Sequence, residues 1–409
     1  MASDAMRTVE EVRSRILDSV KPLEPVELPL EEAWGCVLVE DVTAPYDIPT
    51  FASSAMDGFA VRSSDVATAS DEPVTLTRVG EALIGKAPDA EVGPGEAVWI
   101  ATGAPIPEGA DCVAPKEECV ATGETVQVMK AFEPQSFIRP PGQDLAKGEV
   151  VVPAGRILMG PELGMLSTAS IGQVRVYPKA RVCVVSTGDE LVEPGRPLGS
   201  GQIPDANSYT IVGGLKEIGI NPVRTGIIPD EEGLLREAFA SRVDQTDCFI
   251  SSGGMSVGDR DLVKKVVMSM GQIDSYKVAM QPGMPQAFGM LEGRPYFGLP
   301  GNPVSVFVCF ELFLRPALLR MMGHTNLDRP RLEAVMGERV EGLPNRDRYV
   351  RVRLEQFDGG WKASTTGPPA SHLLGGVVKA NGLAVVPAGE KGLEEGERVD
   401  VLVFRPPGR

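Results

Sequence analysis

Acidic side chains recur in this 409-residue chain inside short runs where glycine or proline holds the backbone open, and those runs are the first candidates for chemistry. "SSGGMSVGDRD" (251–261) couples Gly253, Gly254 and Gly258 to Asp259 and Asp261, "STGDEL" carries Thr187, Asp189 and Glu190, and "IIPDEE" carries Asp230. Glycine reaches positive φ without strain, so successive N–H groups of such a loop can curl around a phosphate. Carboxylates would repel that phosphate unless a divalent cation lay between them. The pattern therefore predicts a phosphorylated or nucleotidyl ligand whose charge is shared with Mg²⁺, held by Glu190 and Asp261. No stretch reads G-x-G-x-x-G or G-x-x-x-x-G-K-[ST], which excludes a dinucleotide fingerprint and a P-loop. Upstream, "FASSAMDGFAVR" (51–62) sets Asp57 near Ser53 and Ser54, "ATGAPIPEGAD" puts Thr102 beside Gly103, and "PPGQD" supplies Asp144. Spacing leaves plainer readings open: Asp57-Gly58 is also a hairpin turn, Asp230 also an N-cap, and Asp189 with Glu190 also solvated turn acids.

These residues need elements to position them. Residues 8–20 place Val9, Val12, Ile16, Leu17 and Val20 on one side of a docking helix that "KPLEP" stops. From about 26 to 175 short β-like runs alternate with Gly, Pro and Asp turns, which predicts small antiparallel β modules. From 180 strands and helices alternate: "RVCVVSTG", "NSYTIVGGLKEIG" with Asn207 as its cap, "NPVRTGIIP", "DEEGLLREAFASRV", "TDCFISSGG", "DLVKKVVMSMG". That alternation predicts a central doubly wound α/β domain with a parallel sheet, and ligands beyond the carboxyl ends of its strands. Thr187, Asp230, the 251–261 loop and "GLPGNPVS" with Pro300, Gly301 and Asn302 all fall there. The last 80 or so residues return to short strands, a small barrel or sandwich.

Composition narrows the guests further. A formal net charge of -16 disfavours nucleic acid and anionic lipid. Six cysteines without C-x-x-C read as buried thiols of a reducing compartment, and two histidines exclude a His-rich metal site. The N-terminus lacks an apolar signal segment and no run approaches the ~18 apolar residues of a membrane span, so a cytoplasmic protein is expected without direct membrane insertion.

Taken together, "SAMDGFAV", "TGAPIPEGAD", "PPGQD", "STGDEL", "SSGGMSVGDRD", "QPGMPQAFG", "GLPGNPVSVFV" and "ANGL" resemble, in order and nearly end to end, the molybdopterin molybdenumtransferase (MoeA) family, whose eukaryotic relative is the gephyrin E domain. The resemblance implies a multidomain α/β and β chain: an N-terminal helix (1–25), a linker β domain (26–45 and 146–178), a β module completing the active site (46–145), a molybdopterin-binding α/β domain (179–326) and a C-terminal β-barrel (327–409). It implies an elongated homodimer in which the partner's β module completes the site. The implied reaction is Mg²⁺-dependent hydrolysis of adenylylated molybdopterin with insertion of molybdate and release of AMP. Carried over by position, Asp57, Thr102, Asp144, Asp230 and Lys277 are catalytic and Glu190 and Asp261 are the metal ligands. Ser186, Thr187, Gly188, Ser252, Gly253, Gly254, Ser256, Gly258, Pro300, Gly301, Asn302 and Ser371 line the pterin site. Two departures stand out: Gln281 and Met284 replace lysines in "MQPGMP", and Gly375-Gly376 replace serines. A neutral amide offers an oxyanion hydrogen bonds but no charge; Arg348, Arg351 and Arg353 are the compensating candidates, with Arg351 and Arg353 on one strand face. The non-enzymatic alternative is a gephyrin-like dimeric scaffold whose C-terminal groove takes a peptide of a membrane receptor or of a tubulin-like cytoskeletal or cell-division protein.

Overall fold

The structure, a computed structural model, describes residues 6–253, 262–357 and 359–407. Contacts separate two units, one comprising Met1–Val26, Gly35–Val39 and Arg175–Arg409, the other Glu27–Trp34 and Glu40–Val174. Among the described residues no helix is long and apolar enough to cross a membrane. Helix α1 (Val9–Ser19) of the first unit begins at a capping box: the Glu11 N–H donates to Thr8 Oγ1 at 3.1 Å while the Thr8 N–H donates to Glu11 Oε2 at 2.8 Å. Its buried Val9, Val12, Ile16 and Leu17 are the stripe that the sequence periodicity marks.

The second unit is built on a six-stranded sheet of β1 (Gly58–Val61), β2 (Val74–Ala82), β3 (Glu96–Ile100), β4 (Cys112–Pro115), β5 (Cys119–Thr122) and β6 (Thr125–Val128), in the spatial order β4-β1-β3-β2-β6-β5. All neighbours are antiparallel except β2 and β3, which run parallel from Thr77↔Glu96 to Ala82↔Ile100. The antiparallel expectation therefore holds for four of the five pairings. The 83–95 segment makes the parallel crossover without the helix that such a connection usually carries. Phe59, Leu76, Ala97, Ala114 and Val126 form the core on one face of this sheet.

In the first unit, β7 (Val182–Thr187), α2 (Asn207–Glu217), β8 (Val223–Ile228), α3 (Glu232–Ala240), β9 (Cys248–Ser252), α4 (Leu262–Met270), β10 (Gly271–Lys277), β11 (Pro285–Leu291) and β12 (Arg294–Leu299) form an α/β layer. The sheet order is β8-β7-β9-β12-β11-β10. The first four strands are parallel, as the alternation requires. The last two extend the sheet antiparallel, because the connections flanking β11 are too short for crossovers. Strand alternation divides the interior: Val182 and Val184 face one core with Ile211 and Leu215, while Cys183 and Val185 face another with Leu235, Phe239 and Val266. The long apolar helix expected after Asn302 is present as α5 (Pro303–Cys309) and α6 (Arg315–Met321), joined through a π-helical turn, Phe310–Leu314.

The chain ends in β13 (Arg331–Met336), β14 (Asp347–Phe357), β15 (Gly360–Thr365), β16 (Gly382–Val386) and β17 (Arg398–Val403). Pairings β14–β15, β15–β13, β13–β17, β17–β16 and β16–β14 close a small barrel. Phe239 is fully buried in the α/β layer, edge-on to Phe249 at 5.6 Å and to Tyr296 at 6.0 Å. Phe239→Ala should cost about 3–5 kcal/mol by cavity formation. Hydrogen exchange of the β9 amides under native conditions measures it, and unchanged protection would contradict this packing.

Candidate functional site

In the α/β sheet the strand order reverses between β7 and β9, the position where such sheets open a crevice beyond their carboxyl ends. Parallel register sets Ser186 beside Ser252 there, and both are buried. The Ser252 hydroxyl has no hydrogen-bond partner among the described residues, which is costly for a buried group and suits a polar ligand. Neighbouring Ser251 is occupied, its Oγ lying 2.5 Å from Tyr296 Oη. Gly253 turns at φ 88° with its Cα close under the Thr187 carbonyl; a Cβ there would stand 3.1 Å from that oxygen. Gly188 is likewise confined, because a Cβ would meet the Glu190 carboxylate at 2.7 Å.

Thr187 Oγ1 donates to Asp230 Oδ1 in a short hydrogen bond, and the Asp230 N–H points to Asp189 Oδ1 at 3.4 Å. Asp230 is therefore not the N-cap of α3; Glu231 occupies that position and makes no side-chain cap. The Asn207 expectation also changes. Asn207 is the first residue of α2, and Asp205 performs the capping, accepting from the Ser208 N–H at 3.0 Å and the Ser208 hydroxyl at 2.6 Å. Asn207 Nδ2 donates instead to the Gly301 carbonyl at 2.7 Å, tying α2 to the Pro300-Gly301-Asn302 turn that opens α5.

Asp205 itself is 1% exposed and was not among the sequence candidates. Burial opposes its ionisation, but the Ser208 hydroxyl and N–H and the Arg224 guanidinium outweigh burial and hold its carboxyl below the ordinary value. Arg224 reaches Glu193 at 2.7 Å and Asp205 at 3.3 Å and stacks over Tyr209 at 4.7 Å. Arg224 comes to this acid from β8, where it also donates to Ser208 Oγ at 2.7 Å, so spacing in the sequence held no signal for it.

A second feature of the first unit is a cavity of about 560 Å³ lined by Gln281, Val304, Arg348, Arg351, Thr365 and Ser371. The two-residue strand Met280–Gln281 pairs with β14, opposing Gln281 to Arg348. Ser371 arrives through its carbonyl, which accepts the Val304 N–H at 3.0 Å. Arg351 is 5% exposed and donates to the Leu373 carbonyl at 2.6 Å and to the Pro368 carbonyl. A Cβ on Gly376 would stand 2.8 Å from Arg351 Nη1, so this glycine accommodates the guanidinium. Arg353 does not join the cavity: exposed on the same strand, it pairs with Glu355 at 2.9 Å.

In the second unit, Asp57 and Thr102 come together. Both the N–H and the hydroxyl of Thr102 donate to Asp57 Oδ1 at 2.8 Å. The Thr102 N–H is the largest influence, followed by its hydroxyl and the nearby Lys116, and they hold the Asp57 carboxyl below its usual range. The loop carrying Thr102 is docked on the Asp57 loop by Ser54, whose carbonyl accepts the Gly103 N–H at 2.8 Å and whose N–H donates to Ala104 at 3.0 Å. Asp144 stands apart: its N–H donates to the Ile48 carbonyl at 2.9 Å, and its side chain is exposed without a hydrogen bond among the described residues. Lys277 ends β10, its carbonyl accepting the Arg7 N–H at 2.9 Å. Gly254, Ser256, Gly258 and Asp261 lie outside the described residues, so the meeting of Glu190 with Asp261 does too.

The chain matches three family models: the MoeA N-terminal region (domain I and II) over residues 7–170, a probable molybdopterin binding domain over 183–320, and the MoeA C-terminal region (domain IV) over 333–404. It is 35% identical over 403 residues to the molybdopterin molybdenumtransferase of Haemophilus influenzae, covering 98% of this chain and 99% of that protein. It is 36% identical over 389 residues to molybdopterin molybdenumtransferase 2 of Mycobacterium tuberculosis, covering 93% and 96%. Among solved structures, the molybdopterin biosynthesis MoeA protein of Pyrococcus horikosii superposes with a TM-score of 0.82 at 30% identity, covering 98% of this chain and 100% of that one.

Two expected outcomes follow from the hydrogen bonds above. Asp57 has a lowered folded-state pKa, so its ionised form adds stability above the unfolded pKa and loses it as pH falls through the folded one. Thr102→Val removes one donor and should move the Asp57 titration midpoint upward by carboxyl-carbon NMR; an unmoved midpoint would exclude the hydroxyl's part. Arg224→Met strands the buried Asp205 and should destabilise the first unit by about 3–5 kcal/mol at neutral pH in denaturant unfolding. A loss under about 1 kcal/mol would show that Ser208 suffices.

Proposed function

We propose, from the premise that this chain belongs to the MoeA family of molybdopterin molybdenumtransferases, that it transfers molybdenum to molybdopterin in molybdenum cofactor biosynthesis. Its substrate is adenylylated molybdopterin, the phosphoanhydride is hydrolysed, molybdate is inserted at the dithiolene, and AMP leaves. The protein is cytoplasmic and homodimeric, and its chain divides functionally at the boundaries expected from the sequence. The observation that carries this reading is the buried, unpartnered Ser252 hydroxyl at the β7/β9 switch point, beside the Thr187–Asp230 pair.

Each group has a physical task. Ser186, Thr187, Gly188, Ser252 and Gly253 offer hydroxyls and backbone N–H groups to the pterin and its phosphate, with Asn207 holding the Pro300-Gly301-Asn302 turn at the rim. Asp230, fixed by Thr187, keeps a second carboxylate oxygen for a proton or an ordered water. Asp57, held ionised by Thr102, acts on the anhydride as a base or polar anchor. Asp144 and Lys277 complete the catalytic assignment.

For Mg²⁺ the donor chemistry fits. Among the described residues no three such side chains are placed to hold a metal, but Mg²⁺ commonly takes one or two carboxylates plus substrate phosphate oxygens. Glu190 and Asp261 would supply the carboxylates, and the ion would supply charge neutralisation at the phosphates. Molybdate fits the 560 Å³ cavity, where Arg348 and Arg351 bring the positive charge that Gln281 lacks and Ser371 adds a hydroxyl.

With purified protein, adenylylated molybdopterin, Mg²⁺ and molybdate, AMP release should be seen; no turnover at any molybdate concentration would discard the activity. Asp57→Ala should lower turnover by at least about a hundredfold with the fold intact by circular dichroism, a general acid–base contribution being of that order. Gln281→Lys should lower the molybdate concentration needed for half-maximal rate, and Arg351→Gln should raise it. If neither moves it, the cavity is not the oxyanion site.

A further inference from the structure

Lys116 stands against Asp57 for a reason that the strand pairing supplies. Strand β4 ends at Pro115 opposite Gly58 of β1, and a Cβ on Gly58 would collide with the Ala114 carbonyl oxygen, so only glycine allows this approach. The next residue is then delivered to Asp57 twice. The Lys116 N–H donates to the Asp57 carbonyl at 2.9 Å, and Lys116 Nζ lies 3.5 Å from Asp57 Oδ2.

That second distance is long for a committed ion pair, which settles at about 2.7–2.9 Å. Asp57 Oδ1 already accepts both Thr102 donors, and Oδ2 holds the ammonium only loosely. The Lys116 side chain is 53% exposed, and an ammonium carries three N–H donors. Most of its donor capacity therefore faces solvent beside the acid that acts on the substrate. Glu117 and Glu118 follow on the same 3-10 turn, so Lys116 is the one cation that this turn sets against two acids. In a chain of net charge -16 a placed cation favours capture of a phosphate.

We propose that Lys116 is the phosphate-binding cation of the Asp57–Thr102 cluster and takes the nucleotide phosphate that becomes AMP, a reading that rests on the enzymatic function above. One ammonium thus does two things. It rests loosely against Asp57 Oδ2 while the site is free, and it turns its remaining donors to the phosphate when substrate arrives.

AMP binding to the full-length protein, followed by titration calorimetry, is the test. Lys116→Gln should weaken AMP by at least about tenfold, the scale of one charge-assisted contact, while Lys116→Arg stays within about threefold of the parent. Asp57→Asn, which frees the ammonium, should tighten AMP. Lys86→Gln, an equal loss of charge on the 83–95 segment, should change nothing. If Lys116→Gln unfolds, Lys116→Met keeps the aliphatic stem and carries the comparison. Unchanged AMP affinity in a folded Lys116→Gln protein that still turns over would overturn the proposal and leave the enzymatic reading standing. So would a raised molybdate requirement with AMP affinity intact, which would give the ammonium to the oxyanion. Equal weakening of inorganic phosphate and AMP supports a contact to the phosphate itself; loss of AMP alone would place the contact on the nucleoside and refute it. A parent protein that neither binds AMP nor turns over removes both readings together.

Discussion

The parallel ladder between β7 and β9 is the interaction on which the candidate site depends. From Val182↔Cys248 to Ser186↔Ser252 it fixes which residues reach the carboxyl edge together, and one step of slippage would turn every side chain to the opposite face. Both faces of these strands are covered, with Val184 in one core and Val185 in the other, so a slip would exchange two packed interiors at once. Burial of apolar surface thereby sets the register, and the register sets the chemistry. Ser186, Thr187, Ser251 and Ser252 are polar residues carried to a defined rim by the hydrophobic residues that precede them.

Charge is the second constraint. The protein is strongly acidic, so its packed acids and polar pockets need compensation close at hand. The structure meets this locally. Asp205 is compensated by Ser208 and Arg224, Asp57 by Thr102 and Lys116, and the Gln281 cavity by Arg348 and Arg351. Arg351 also gives a physical account of Gly376, a position that looks like a loss in the sequence. The guanidinium packs where a serine side chain would begin. Cation and glycine are two halves of one substitution in packing.

Much of the architecture was legible because hydrophobic period is a local property. The α1 stripe, the alternation from residue 180 and the closing β segments all follow from patterns spanning a few residues. Strand direction at the far edge was not legible from hydrophobic period, which marks a strand without giving its direction; the short connections around β11 set it. Caps were misplaced by a residue or two for a similar reason: Asp205 and Asn207 are both good capping types, and the choice between them was made by Arg224 and by the Gly301 carbonyl.

The sequence by itself determined the set of chemical groups, the glycine turns and the family, because motif order and hydrophobic period are written along the chain. Tertiary structure alone decided which acid meets which base. Lys116 reaches Asp57, Arg224 reaches Asp205 and Arg351 reaches the Gln281 cavity, while Arg353, two residues further on the same strand, turns to Glu355. The physical reason is that a charged contact depends on separation in space to within an ångström or so. That separation is set by strand pairing and core packing between segments distant in the chain, to which spacing along the chain is blind.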